Sequence, residues 1–191
     1  GGVHGDEPEG VILAEACLGW LKTCSEKQVK VPWIVIPCLN PDGIAAGSRT
    51  NSNGVDLNRN YPTRDWKGSD SKDRYYPGPK PASELENQAL CQLIKELDPR
   101  LIIHCHSWKP CIVRTGEPAQ TDAERLARSS GYPITRSIGY PTPGSLSAYG
   151  WDDNRIPVLC IEEQANVSPA TIWPRFQRAF QDILGDDGPR V

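Results

Sequence analysis

The chain has 191 residues, of which 38% are hydrophobic and 24% charged, the size and composition of one globular domain on a single packed core. A net charge of −3 gives no basic surface for a phosphate backbone, so nucleic acid is not an expected partner. Nor is a membrane, because apolar runs such as Trp33–Pro37 and Leu101–Ile103 fall far short of the ~20 residues in a spanning helix.

The sequence contains no Met, so Gly1 is not read as a translation start. Gly1-Gly2-Val3-His4 reads as the exit of a core strand begun upstream, where any targeting signal would also lie. Gly1–Pro8 is expected as a loop, and an apolar-periodic segment from Glu9 to Leu21, opened by Pro8, predicts the first helix. Val31–Leu39, rich in Val and Ile, predicts a strand that Asn40-Pro41-Asp42-Gly43 ends in a turn. From Gly43 to Pro81 no apolar period is present, and so long an irregular stretch in a compact domain is commonly functional. Ser83 and Glu86 read as the capping box of a second helix, with Leu90, Leu93, Ile94 and Leu97 as its apolar stripe. Leu101–Cys105 predicts a buried strand, Thr121–Ser129 a short helix, and Ile134–Ile138 and Ile156–Ile161 two more strands. Ser168-Pro169 opens a last helix with Ile172, Phe176, Phe180 and Ile183 facing inward. This alternation predicts an α/β fold over residues 1–191: one domain with a mixed, largely parallel twisted sheet flanked by helices.

Seven cysteines lack zinc-finger spacing and cannot all pair within one chain, so free thiols are the simpler reading. Cys38, Cys105 and Cys160 sit in or beside apolar runs as small hydrophobes, and the set favours a reducing compartment.

Three histidines are present, at 4, 104 and 106. His4 and Glu7, three apart, can aim an imidazole and a carboxylate at one point from a short turn. A third ligand from the strand near His106 would complete a two-His, one-carboxylate set, a catalytic zinc pattern with an open position. His104 and His106 share a strand face. His106, nearer the carboxyl end where open α/β sheets place ligands, is taken as the ligand, and His104 as a hydrogen-bonded neighbour. A hydrolase of this kind also needs a base. Glu162, carried out of an apolar strand, is the candidate, against the plainer reading that Glu162 and Glu163 are its solvated end. Asn58 and Arg59 lie in a loop rich in amides, suited to an anionic substrate end, and Arg49, ahead of them, could stabilise an oxyanion.

Together, His4-Gly5-Asp6-Glu7, Asp56-Leu57-Asn58-Arg59-Asn60, His106-Ser107 and Glu162 resemble the zinc carboxypeptidases of the M14 type. A tyrosine 22 residues before the catalytic glutamate belongs to the same pattern, matched by Tyr140 in Tyr140-Pro141-Thr142-Pro143-Gly144-Ser145. Asn40-Pro41-Asp42-Gly43, Arg49-Thr50-Asn51 and the helix from Ser83 to Cys91 resemble the murein peptide amidases within the family. The resemblance implies one Zn2+ per chain on His4, Glu7 and His106, with Glu162 as general base. It also implies Arg49 on the oxyanion, and Asn58, Arg59 and Tyr140 on the substrate's terminal carboxylate. The implied substrate is a small murein peptide, cleaved between γ-D-glutamate and meso-diaminopimelate in the bacterial cytoplasm. Family spacing puts the specificity position at Ser147, small and neutral. Asp152 or Asp153 would meet a substrate amino group, or else be plain surface carboxylates. Two other readings compete: an N-acyl amino acid deacylase of the succinylglutamate desuccinylase and aspartoacylase type, which lacks the Tyr140 loop, and an inactive binding protein. The second conflicts with the full set of four site residues.

Overall fold

The computed structural model describes residues 1–70 and 73–185; residues 71–72 and 186–191 of the expected domain lie outside the described residues. Four strands form one mixed sheet in the order β1 (Ile102–Trp108), β4 (Val158–Gln164), β2 (Cys111–Thr115) and β3 (Ile134–Thr135). The β1–β4 and β2–β3 pairs are parallel and the β2–β4 pair antiparallel.

Helices α1 (Pro8–Leu21), α4 (Gln120–Ser130) and α5 (Pro169–Gly185) cover one face. Between them and the sheet lies the main core, in which Leu13, Ile112, Leu126, Leu159, Ile161, Ile172 and Phe176 are buried. A smaller core under α3 (Leu85–Leu97) joins Cys91 and Ile94 to Tyr61, Tyr149 and Ile156. Among the described residues, no helix is long and apolar enough to cross a membrane.

Four expectations need correction. Val31–Leu39 is not a strand: a strand needs a neighbour for its N–H and C=O groups. Among the described residues this segment is joined only at its end, by Leu39 N to Gly1 O (3.1 Å) and by the Gly1 amino group to Ile36 O (2.8 Å). Asn40-Pro41-Asp42-Gly43 starts a helix rather than a turn. This is α2 (Pro41–Ala46), with Pro41 at its first position and Asn40 Oδ1 accepting from Gly43 N (2.9 Å). The capping box at Ser83 does not form, because α3 begins after Glu84 and the Ser83 hydroxyl is engaged by Asn60 Nδ2 (3.0 Å). Finally, the strand expected over Ile134–Ile138 contracts to the two residues of β3, while β2, which no expectation covered, is buried through its middle without alternation.

The strands that matter for function run further than their apolar runs. β1 continues through His106 to Trp108, and β4 through Glu162 and Glu163 to Gln164. His104 pairs in register with Cys160, and His106 with Glu162. Paired residues of parallel strands project to one face, so all four side chains leave the sheet together, away from the α1 and α5 layer. Their neighbours Cys105, Leu159 and Ile161 fill the main core.

Candidate active site

The turn that carries His4 and Glu7 is held from both ends. Gly5 N donates to Ser48 O (2.9 Å), and Asn40 Nδ2 donates to Val3 O (3.2 Å). A Cβ at Gly5 would collide with the backbone of Gly43 and Ser48, so only glycine lets the α2 loop close over the turn. Glu7 sits at the mouth of α1, and Glu9, buried in its first turn, accepts from Ser107 Oγ (2.6 Å) and from Asn166 N (2.7 Å). That one carboxylate ties α1 to the carboxyl ends of β1 and β4.

As a result, His4 Nδ1 lies 2.9 Å from Glu7 Oε1, while His106 Nδ1, arriving from β1, lies 2.7 Å from Glu7 Oε2 and 3.0 Å from His4 Nδ1. The opposite nitrogens are spoken for. His4 Nε2 is 3.0 Å from Asp56 Oδ1, and His106 Nε2 is 3.0 Å from His104 Nδ1. With each Nε2–H directed outward, both Nδ1 lone pairs and the Glu7 carboxylate converge on one point as acceptors. A cation relieves that convergence, and imidazoles braced from behind by a carboxylate or other acceptor are the usual setting of a metal-binding histidine. Two nitrogens and a carboxylate oxygen within 4.8 Å of one another fit a zinc ion with an open side.

Asp56, fully buried, is the hub behind His4. It also accepts from Arg49 Nε (2.9 Å) and Asn58 N (2.9 Å). Burial alone would raise its carboxyl, but the bond from His4 and the charges of Arg49 and Arg59 hold it well below the usual range. Glu7 follows the same balance: burial pushes up, and His106 and His4 pull it far down. His4 is raised in spite of burial, by its bonds to Asp56 and Glu7.

Glu162 and Glu163 are both buried, so they are not a solvated strand end. Glu163 turns toward Tyr132 and Arg175 and bonds both. Glu162 faces the other way, beside His106, and accepts weakly from Cys160 Sγ (3.5 Å). Its carboxyl is raised, first by burial and then by the charge of Glu7, against the opposing pull of His106 and His4.

Arg49 reaches the same point, with Nη1 donating to Glu7 Oε1 (3.1 Å). Arg59 is buried and donates to Asn58 O (2.7 Å), and Asn58 Oδ1 accepts from Leu146 N (2.9 Å). The Tyr75 ring lies 5.1 Å from the Arg49 guanidinium and 5.7 Å from that of Arg59, within cation–π range of both. Tyr140 stands apart from these, half-exposed and edge-on to Trp108 at 6.2 Å. Asp153 accepts from Arg64 Nε (2.7 Å) at the surface, and Asp152 lends Arg64 its carbonyl. Asp56, Glu9 and Tyr75 join the site without a signal of their own in the sequence. Asp56 stood inside the Asp-Leu-Asn-Arg stretch, but nothing in spacing shows a partner 52 positions away.

The sequence profile of the family described as zinc carboxypeptidase matches residues 1–149. The chain belongs to the zinc carboxypeptidase family. The matched span holds His4, Glu7, His106 and the arginine loop, and ends before Glu162. Within the family, the chain is 36% identical over 165 residues to murein peptide amidase A of Escherichia coli strain K12, covering 80% of this chain. It spans 65% of that relative's length. Murein peptide amidase A of Vibrio campbellii is 29% identical over 199 residues, covering 97% of this chain and 76% of the relative. The crystal structure of the murein-tripeptide amidase MpaA from Escherichia coli O157 superposes with a TM-score of 0.80 at 32% identity, over 98% of this chain and 80% of that one.

Proposed function

We propose that this zinc carboxypeptidase-family chain hydrolyses the amide bond before a C-terminal residue with a free carboxylate, and that its substrate is a small murein peptide. The bond would be the one joining γ-D-glutamate to meso-diaminopimelate. The observation that carries this reading is the meeting of His4, Glu7 and His106 at one point, with Glu162 beside them on the adjoining strand. The likeness to murein peptide amidases supports the substrate.

In this reading His4, Glu7 and His106 hold one zinc ion, which when bound supplies a Lewis acid and lowers the pKa of its water to ~7. Glu162, raised by burial, takes a proton from the attacking water and returns it to the leaving amine. Arg49, held by Asp56 and Glu7, is preorganised to donate to the developing oxyanion. Arg59 and the Asn58 amide bind the substrate's terminal carboxylate, and Tyr140 closes over it from the rim. The seven unbridged cysteines accord with a reducing cytoplasm, where we place the reaction.

The test supplies murein tripeptide, N-acetylaspartate and N-succinylglutamate to the purified protein and identifies the products. Release of diaminopimelate from the tripeptide is expected; deacylation of the other two alone overturns the reading. Glu162→Gln is expected to keep zinc by metal analysis and to lose ~10²–10⁴ of turnover, and retained turnover would remove Glu162 as the base.

A further inference from the structure

A second set of donors converges one step along the sheet from the first. His104, His106 and Cys160 are all buried, and one donor atom from each lies within 4.8 Å of the others. His104 Nδ1 is 3.0 Å from His106 Nε2, near the ~3.3 Å that two nitrogens at ~2.0 Å from one tetrahedral zinc would have. Cys160 is the register partner of His104 and projects from the same face. A core cysteine in an apolar strand would pack against hydrocarbon, as Cys105 does on the opposite face. Cys160 instead faces two imidazoles and the Glu162 carboxylate, with only a weak 3.5 Å bond to the latter. Two imidazoles and a thiol are the donors that softer divalent ions prefer.

We propose that His104, His106 and Cys160 form a second cation site, for a thiophilic divalent ion such as Zn2+ or Cd2+, which shares the His106 ring with the first. The ion takes His106 at Nε2 while Nδ1 still faces His4 and Glu7. On binding, the Cys160 S–H proton leaves to solvent and sulfur bonds the ion as thiolate. Where Nδ1 already holds a cation, the Nε2–H proton leaves as well and the ring bridges the two ions; no electron is transferred. The occupant sits beside Glu162, removes its Cys160 donor and sets a positive charge against the carboxylate that must accept a proton. The second ion is therefore inhibitory. This inference goes beyond the proposed function, since the three donors do not include His4 or Glu7.

The experiment titrates the purified full chain with Cd2+ alone, reading bound ions per chain and the ultraviolet sulfur-to-cadmium charge-transfer band. The wild-type chain is expected to bind two ions at these sites and to show the band. Cys160→Ser and His104→Ala should each bind one ion fewer and lose the band. Glu7→Gln should bind one fewer and keep it. A wild-type chain without the band, or a band that survives Cys160→Ser, overturns the site. X-ray absorption at the cadmium edge of the wild-type two-ion chain tests it without a variant: a sulfur neighbour to cadmium is expected, and a shell of nitrogen and oxygen alone overturns the site. If the band is present but Glu7→Gln removes no ion, this site stands and the first ligand set falls. In the zinc-loaded enzyme the second ion is expected to lower turnover at least tenfold, reversibly with chelator. Unchanged turnover with the site filled overturns the inhibition.

Discussion

Replacing Asp56 with Asn tests how far the site depends on a residue that need not touch substrate. Asp56 is fully buried, and its two oxygens serve three donors: His4 Nε2 at 3.0 Å and Asn58 N at 2.9 Å on Oδ1, and Arg49 Nε at 2.9 Å on Oδ2. Asparagine is nearly the same shape but has one acceptor oxygen and one NH2. If its oxygen stays with His4 and Asn58, its NH2 meets Arg49 Nε–H donor to donor, and Arg49 is released. If the amide turns over, His4 loses its acceptor and with it the tautomer that leaves Nδ1 free. Losing the partner behind a metal-binding histidine costs about 10–100-fold in metal affinity, or about 1.4–2.7 kcal/mol. Losing an oxyanion donor costs about 10²–10³ in kcat. The two outcomes separate in an assay that measures zinc affinity by chelator competition and then kcat at saturating zinc. Asp56→Asn is expected to lower one by its full amount, or both by part. A variant matching the wild-type chain in affinity and in kcat would refute the reasoning, because it would show that neither His4 nor Arg49 needs the carboxylate.

Three further outcomes follow from the same geometry. The acid limb of kcat/KM should report Glu162: because burial raises its carboxyl, activity falls away, as pH drops, above the ~4.3 of an ordinary glutamate, and a limb at or below that value would contradict its burial. Phe176→Ala, which empties a fully buried position where the ring meets Tyr132 edge-on at 5.8 Å, should cost about 3–5 kcal/mol in urea unfolding. Gly144→Ala should cost about 1–3 kcal/mol and raise KM more than it lowers kcat. Gly144 has φ +71°, and its Cβ would strike the carbonyl of Arg59, which with Asn58 is proposed to hold the substrate's carboxylate. Unchanged stability and KM would show that the loop yields without disturbing Arg59.

What could be read from the sequence was local chemistry with a period. α1, α4, α5 and the apolar halves of β1 and β4 carry their own signatures, and His-x-x-Glu is a turn whose two side chains have few places to go. Val31–Leu39 had the composition of a strand, but pairing is a property of two segments and only one was legible there. Ser83 and Glu86 had capping-box spacing, yet Asn60 and Asn51, from a loop more than twenty residues earlier, engage those side chains instead. Asp56 and Glu9 were invisible for the same reason. A buried carboxylate is explained by its partners, and the deciding ones are distant: His4, 52 residues from Asp56, and Ser107 and Asn166, 98 and 157 residues from Glu9. Cys160 was read as a small hydrophobe because its neighbours in sequence are apolar, whereas its neighbours in space are His104 and Glu162.

The alternation along β1 and β4 also guards the fold against mispairing. If β1 slid by a single residue past β4, His106 and His104 would rotate into the hydrocarbon between sheet and helices, while Cys105 would take their place. Sinking two imidazoles into that layer without acceptors is costly, so the reactive face doubles as an alignment mark.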